Sequence, residues 1–549
     1  MVYSYLDDLI LASEQQAVAA RFHFLKRAAS EIGLQFNTSK CEVIPAAGHA
    51  ASISKDLFPD NTIFREDGDY ELLGGPIGSD IFCNKHTQKR VDKACELIKA
   101  LGELPDPQVA LTLLRHCASF GKLVYSLRVV PHHKHLNALR SFDNSIRDCI
   151  ESFLCCSFSE TEWSLAGLSS KMGGLGLRNV ELHSSAAFLS SQAAIHESCA
   201  VLDPNHTWDP NNRNSDSHVA LNNYNSKISP RKKLELNSET RPRQQALSLD
   251  IDNHILDTIR EEAGNNVHLL AHLNLTTTSG AGSWLHTVPS KALGTSVDPI
   301  IYKTMIQSWL RVTLFDSEFN CPLCDEVVDK HGDHCLTCSC GGDRTKRHNL
   351  LRNEVFHQCN SAGLNPELEK PGLLQPRPLF GASQENGVQR DPQALRRPAD
   401  VYLPRWRRGK PAALDLAVTS GLKRDMVERS AETGSAAVTT YEDFKRNYLA
   451  TEATCQENGL NFIPLICEAD GGGWGPAANA VWSELAKHKS AMTGEPNSIT
   501  ATRLLQSLGL ILHKENARAI LRRSPMRTNR EFQELLAAAT DCVTQENPI

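Results

Sequence analysis

The chain has 549 residues, 41% of them hydrophobic and 22% charged, which excludes wholesale disorder, collagen and coiled coil and leaves room for about three to four domains. Lys plus Arg number 58 against 64 Asp plus Glu, a formal charge of −6, so a uniform basic coat for nucleic acid is excluded while local basic patches are not. Seventeen cysteines without a repeating framework, an acidic N-terminus and the lack of any apolar run of membrane length point to an intracellular protein of nucleus or cytoplasm, with no membrane partner.

In chain order, Val2 to Leu11 places Asp7 and Asp8 between apolar β-formers, the pattern of a hairpin with two carboxylates at its tip. Such acids are either a solvated turn or a site for divalent metal, because adjacent carboxylates in an apolar run need a cation. An amphipathic helix follows from about Glu14 to Ile32, with Phe24, Leu25, Ala28 and Ile32 on one stripe. Then come Gly33-Leu-Gln-Phe-Asn-Thr-Ser-Lys-Cys-Glu42 and Leu72-Leu-Gly-Gly-Pro-Ile-Gly78; the latter resembles the primer-grip hairpin of reverse transcriptases, which implies that Gly74 and Gly75 permit close approach of a nucleic-acid end. Helical sequence covers Val109 to Tyr125 and Leu136 to Phe153, followed by Lys171-Met-Gly-Gly-Leu-Gly-Leu-Arg178. Residues 203–247 are rich in Asn, Pro, Ser and charge and read as a disordered linker. A second stretch, Gln375 to Leu395, is rich in Pro, Gly and Gln and reads as a loop.

Cys321-Pro-Leu-Cys324 with His334 and Cys338 has the spacing of a tetrahedral Zn²⁺ site, structural because protein fills all four positions. His331, Cys335 and Cys340 are alternative ligands. Just beyond, Arg344 and Arg347, with Lys346 and His348, suit phosphate contacts. Further on, Asp400 opens one short strand and Asp415 interrupts the apolar strand Ala412 to Thr419. Across a hairpin the two carboxylates would face each other and hold Mg²⁺ (or Mn²⁺). The turn between them carries Arg405, Arg407 and Arg408, a local positive surface.

Tyr5-Leu6-Asp7-Asp8 resembles the Tyr-x-Asp-Asp box of reverse transcriptases, and the segments at 33–42, 72–78 and 171–178 resemble the motifs that follow it, the second being the primer-grip hairpin. Four motifs in order over about 180 residues make this chain similar to the C-terminal part of a non-long-terminal-repeat retrotransposon polymerase. The resemblance implies catalytic roles for Asp7 and Asp8 and DNA and RNA as partners, the element transcript and the genomic target. The family's first catalytic Asp lies on a strand upstream of the box, whereas here the sequence starts four residues before Tyr5, so the polymerase half is incomplete and no polymerisation is expected. The segment from Asp400 to Asp415 resembles the Pro-Asp…(Asp/Glu)-x-Lys nuclease core attached to some of these polymerases. The usual Lys position is Ala417 here; Lys445, on the following helix, fits the retroelement variant, and Glu354 would be the additional acid.

The implied fold is α+β and multidomain: a partial reverse transcriptase palm at 1–100, a helical thumb at 101–202, the linker, a helical connector at 248–320, a zinc-binding segment at 321–348, an α/β restriction-endonuclease-like domain at 349–490 and C-terminal helices at 491–549. The implied activity is RNA-directed DNA synthesis at family level together with DNA target nicking; the alternative is a domesticated or decayed nucleic-acid-binding protein without chemistry.

Overall fold

Apolar residues at helical spacing dominate the sequence, and in the computed structural model they build a mixed α+β protein of mainly helices and small sheets. The structure describes residues 2–5, 8–45, 53–237, 239–374 and 398–525. Asp7 and the Gln375–Leu395 stretch lie outside the described residues. Among those described, no helix is long and apolar enough to cross a membrane. The chain divides into two units: Met1–Cys95, Leu123–Asp143 and Val180–Ser248 form the first, and Glu96–Lys122, Asn144–Asn179 and Leu249–Ile549 the second. The expected palm and thumb boundaries therefore do not coincide with units, and the 101–202 helices are divided between both.

In the first unit, Val2–Tyr5 pairs antiparallel with Asp8–Leu11, and Asp8 is exposed at the tip. A helix at Gln15–Glu31 follows. Glu42–Val43 pairs with Ile63–Phe64, and Tyr70–Leu72 with Gly75–Ile77, so this region forms three separate two-stranded sheets. The turn of the last hairpin has Leu73 at φ 48° and Gly74 at φ 77°, the two left-handed residues of a type I′ turn. Its carbonyls are taken: Arg90 donates to Gly74 and the Tyr125 hydroxyl to Leu73 at 2.7 Å. Asp143 caps the helix Val180–Leu202 by accepting from the amides of Val180 and Glu181 at 2.8 and 3.0 Å.

The 203–247 segment is not a disordered linker. It holds the helix Asp216–Asn225, and Leu221, Tyr224, Ile228 and Leu236 are buried. Its asparagines, which suggested a solvated loop, satisfy backbone instead: Asn225 accepts from the Leu234 amide at 2.7 Å and donates to its carbonyl at 3.0 Å. Trp208 stacks on His196 with ring centroids 4.9 Å apart. A few large side chains suffice when the polar ones close the loops.

The second unit is built around a four-stranded sheet: β1 (Glu367–Leu368), β2 (Val401–Leu403), β3 (Ala412–Thr419) and β4 (Asn461–Glu468), in the order β4-β3-β2-β1. β2 runs antiparallel to both neighbours, whereas β3 and β4 are parallel. β3 and β4 read as nearly continuous apolar runs because both of their faces are covered. Helices α1 (Asp343–Ser361), α3 (Pro476–Thr493) and α4 (Asn497–Arg523) bury Leu351, Val355, Val481, Leu485, Leu504 and Leu508 against Leu414, Leu416 and Leu465. On the other face α2 (Ala436–Asn447) packs Val438 and Tyr441 against Ala417 and Ile466.

α4, within the expected C-terminal helices, belongs to the core of this unit, and its Ile520 reaches the 321–340 segment. Helix Val267–Thr276 from the supposed connector likewise packs Ala271 and Leu275 on Leu422 and Val427. α1 also crosses the anticipated 348/349 boundary.

Candidate functional site

The strand register brings the two acids together. Val401 pairs with Leu414 and Tyr402 with Ala413, so one further step sets Asp400 opposite Asp415, and the Asp400 amide donates to the Leu414 carbonyl at 2.9 Å. Directly opposed residues share a face, and alternation puts this one away from Leu414 and Leu416, on the side of α2. From α2, Lys445 reaches Asp415 with Nζ 2.8 Å from Oδ2. Ala417, where a lysine two residues after the second acid would sit, packs instead against Val438 and Ile466. Burial raises the Asp415 carboxyl above its ordinary range even though Lys445 pulls it down. Burial also lowers the Lys445 ammonium, but Asp415 outweighs this and the net shift is upward.

Asp400 Oδ2 accepts from the Leu416 amide at 2.7 Å and lies 3.3 Å from His348 Nε2. His348 is raised by that carboxylate against the opposing effect of burial. Each carboxylate thus has one engaged oxygen, and no protein partner at the other appears among the described residues. The sequence pattern assigned His348 to phosphate contacts; its place beside Asp400 follows from α1 crossing the end of the sheet.

Glu354 is not brought to this pair. It points toward α4 and its own helix, accepting from Ser507 at 2.7 Å and Gln358 at 2.6 Å. Six residues along a helix rotate it well away from the face bearing His348. Arg347 is also a correction: it is 5% exposed and donates to Asn516 at 2.6 Å and the Leu336 carbonyl at 3.0 Å, with burial lowering it to about 10. A buried guanidinium held by two acceptors, with its Nε unpartnered, is a structural tie, not a phosphate contact. Arg344 is exposed, as are Arg405 and Arg408; Arg407 lies 3.5 Å from Glu484. The turn carrying these arginines is about three residues of strand, roughly 10 Å, from the acids.

The four expected zinc ligands converge. One donor atom from each of Cys321, Cys324, His334 and Cys338 lies within 4.8 Å of the others. Cys324 Sγ is 3.3 Å from His334 Nε2 and 3.7 Å from Cys338 Sγ. A tetrahedron with Zn–S near 2.3 Å has edges of about 3.8 Å, so the donor set fits zinc in chemistry and dimensions. The hairpin Phe319–Asn320/Val327–Val328 and the helix Asp333–Thr337 position the donors. Cys335 is instead core, 2% exposed among Phe315, Leu336 and Ile520, and His331 and Cys340 lie outside the four.

Arg523 was not foreseen. Its side chain is fully buried, donates to the Cys340 carbonyl at 3.0 Å and to Asp343 at 2.8 Å, and reaches Cys338. Its hydrogen bond holds the Cys338 thiol below its ordinary value despite burial. Three thiolates and one imidazole around a zinc ion would carry a net charge of −1, which the buried Arg523 cation at Cys338 would balance. The arginines 518, 522 and 523, all gathered on Asp343, were the available signal.

A cleft of about 960 Å³ lies beside this segment, lined among others by His268, Arg311, His331, Asp333 and Lys423. Arg311 and Asp333 neutralise one another across it at 2.6 Å. Neither protein-family models nor curated proteins gave a match to this chain.

Proposed function

We propose that this chain is a retroelement protein whose second unit nicks DNA by metal-assisted phosphodiester hydrolysis. The observation that carries the reading is the constellation Asp400, Asp415 and Lys445: two carboxylates opposed across one hairpin, with an ammonium from the next helix 2.8 Å away. The outward oxygens of Asp400 and Asp415 are hard donors suited to Mg²⁺ (or Mn²⁺), which accepts few protein ligands and completes its shell with phosphate and water oxygens. When bound, such an ion stabilises the charge developing on the scissile phosphate.

The protein groups do the rest. Asp415 keeps Lys445 charged and extended, so the ammonium orients a water toward the phosphate. His348 and the Leu416 amide fix the Asp400 carboxylate. The zinc-binding segment, tied through Asp343 and Arg523, anchors the start of α1 and so the position of His348. Arg405, Arg407 and Arg408 would hold the phosphates of the flanking duplex. In the first unit, the exposed hairpin tip with Asp8 and the type I′ turn at Leu73 and Gly74, with Gly75 opening the next strand, support the polymerase-like part of the proposal. DNA and RNA are the partners under this reading.

A non-catalytic nucleic-acid-binding role is the second reading. What favours it is that Lys445 and His348 already neutralise both acids. The test is nicking of supercoiled plasmid by the full chain in Mg²⁺. Asp400→Ala, Asp415→Ala and Lys445→Ala should each lose on the order of a hundredfold or more. Nicking that persists in Asp415→Ala sinks the catalytic reading.

A further inference from the structure

α2 exposes aromatic rings beside the carboxylate site. Tyr441, Phe444 and Lys445 lie three and four residues apart on α2, and Tyr448 follows as the residue that caps its C-terminus. Tyr441 is rooted against Ala417 and Ile466. Beyond it the rings continue outward: Tyr441 to Phe444 is 5.5 Å between centroids, and Phe444 to Tyr448 is 5.2 Å, tilted by 34° and 36°. Phe444 is 49% exposed and Tyr448 54%. The ladder thus runs from the sheet into solvent with the ammonium of Lys445 alongside it.

Three occupants compete for such a face. A fold role is satisfied by Tyr441 alone, since the other two rings are half exposed. A second copy of the chain needs about 800 Å² per partner, and two half-exposed rings offer roughly 200 Å². Their neighbours Asp443, Lys445 and Arg446 are charged, and Arg446 pairs with Glu452, so the apolar patch stays narrow. Flat, half-exposed rings beside the carboxylate site match instead the way aromatic platforms take successive unpaired bases; Lys445 and Arg446 are held by Asp415 and Glu452, so the rings and not these cations carry the contact.

We propose that Phe444 and Tyr448 stack unpaired bases of the nucleic-acid strand whose phosphate lies at Asp400, Asp415 and Lys445. This rests on reading that site as one that handles a phosphodiester. It implies that the strand is partly unwound at the site, so that frayed or single-stranded substrate is preferred over intact duplex.

Binding is measured by fluorescence anisotropy on the full chain, in EDTA so that no cleavage occurs. The probes are a labelled thymidine 20-mer, a labelled uridine 20-mer and a duplex DNA of equal length. The double variant Phe444→Ala with Tyr448→Ala should bind single strands about tenfold or more weakly, with duplex affinity changed much less. Phe444→Tyr with Tyr448→Phe should restore single-strand affinity, and circular dichroism should show both variants folded, as expected for exposed positions. The loss should be at least as large on the thymidine as on the uridine oligomer, since the strand at the site is DNA; a loss confined to the uridine oligomer overturns the assignment. No loss, or an equal loss on duplex, overturns the proposal. So does sedimentation showing a wild-type dimer that the double variant dissociates. Binding is read without catalysis: nicking that survives while the ladder has no effect removes only the stacking, and stacking without nicking removes only the catalytic reading.

Discussion

Replacing Lys445 with methionine keeps the stem and deletes the charge. In the folded protein its ammonium lies 2.8 Å from Asp415, with the side chains 25% and 18% exposed. At an effective dielectric of about 20 the attraction over that gap is roughly 6 kcal/mol, much of it spent on desolvating both ions. What the variant loses is the partner of a carboxylate that burial already disfavours. For fully enclosed pairs that costs about 3–5 kcal/mol; partial exposure brings it to about 2–3 kcal/mol here. The melting temperature should then fall by about 5 °C. Millimolar Mg²⁺ supplies the diagnostic step. With Lys445 gone, the Asp400–Asp415 pair has no competing ammonium, and an ion bound only by the folded state stabilises by about 2.7 kcal/mol at a hundred times its Kd. Calorimetry with and without Mg²⁺ should show the loss recovered in Lys445→Met and a smaller gain in the wild type, where the ammonium already neutralises Asp415. A drop in stability that Mg²⁺ does not reverse would refute the claim that these carboxylates hold the ion. No drop at all would refute the ion pair.

Three further outcomes are expected. Cys321→Ser with Cys324→Ser should abolish bound zinc and loosen the 319–340 segment together with the end of α4, because metal binding there is coupled to folding; unchanged zinc by elemental analysis would remove the site. Arg405→Ala, Arg407→Ala and Arg408→Ala combined should lower the salt dependence of DNA binding by up to about three in slope, whereas Arg347→Met should leave the slope unchanged and lower stability by roughly 2–3 kcal/mol, since it strands the partners Asn516 and Leu336. His135 is buried and lowered to about 3 by desolvation and by His132 and His133, with Thr87 3.1 Å from its Nδ1. Its folded value lies below the unfolded one near 6.5, so its contribution is present above pH 6.5 and lost as pH falls toward 3. By pH 5 the loss is about 2 kcal/mol, and denaturant melts of His135→Gln should lack this acid dependence in the first unit.

The local part of the molecule was legible in the sequence. Cys-x2-Cys with a later His-x3-Cys pointed to the four donors that converge, because short loops can bring them to one point in few ways, while the choice over His331, Cys335 and Cys340 came from the fold. The apolar run around Asp415 fixed a strand, and an acid on each side of one turn fixed a hairpin pairing. Helix α2 and the Gly471–Pro476 turn into α3 also followed from local chemistry, although only the fold shows that a side chain at Gly475 would displace the Glu442 carboxylate, which accepts from the Ala477 amide at 3.0 Å.

Tertiary structure decided everything that depends on which helix face meets which strand. Glu354 and His348 sit on one helix and are both polar, and only the packing of α1 between the sheet and α4 gives Asp400 to His348 and sends Glu354 to Ser507. Arg347 and Arg344 look alike in sequence, yet three residues of helix separate a buried tie from an exposed cation. Composition misjudged 203–247 because it counts aliphatics, whereas burial there is achieved by a few large residues whose loops are closed by asparagine side chains. Arg523 finds Cys338 across about 180 residues of chain, a pairing no local pattern encodes, because only the folded core of α4 brings the two together.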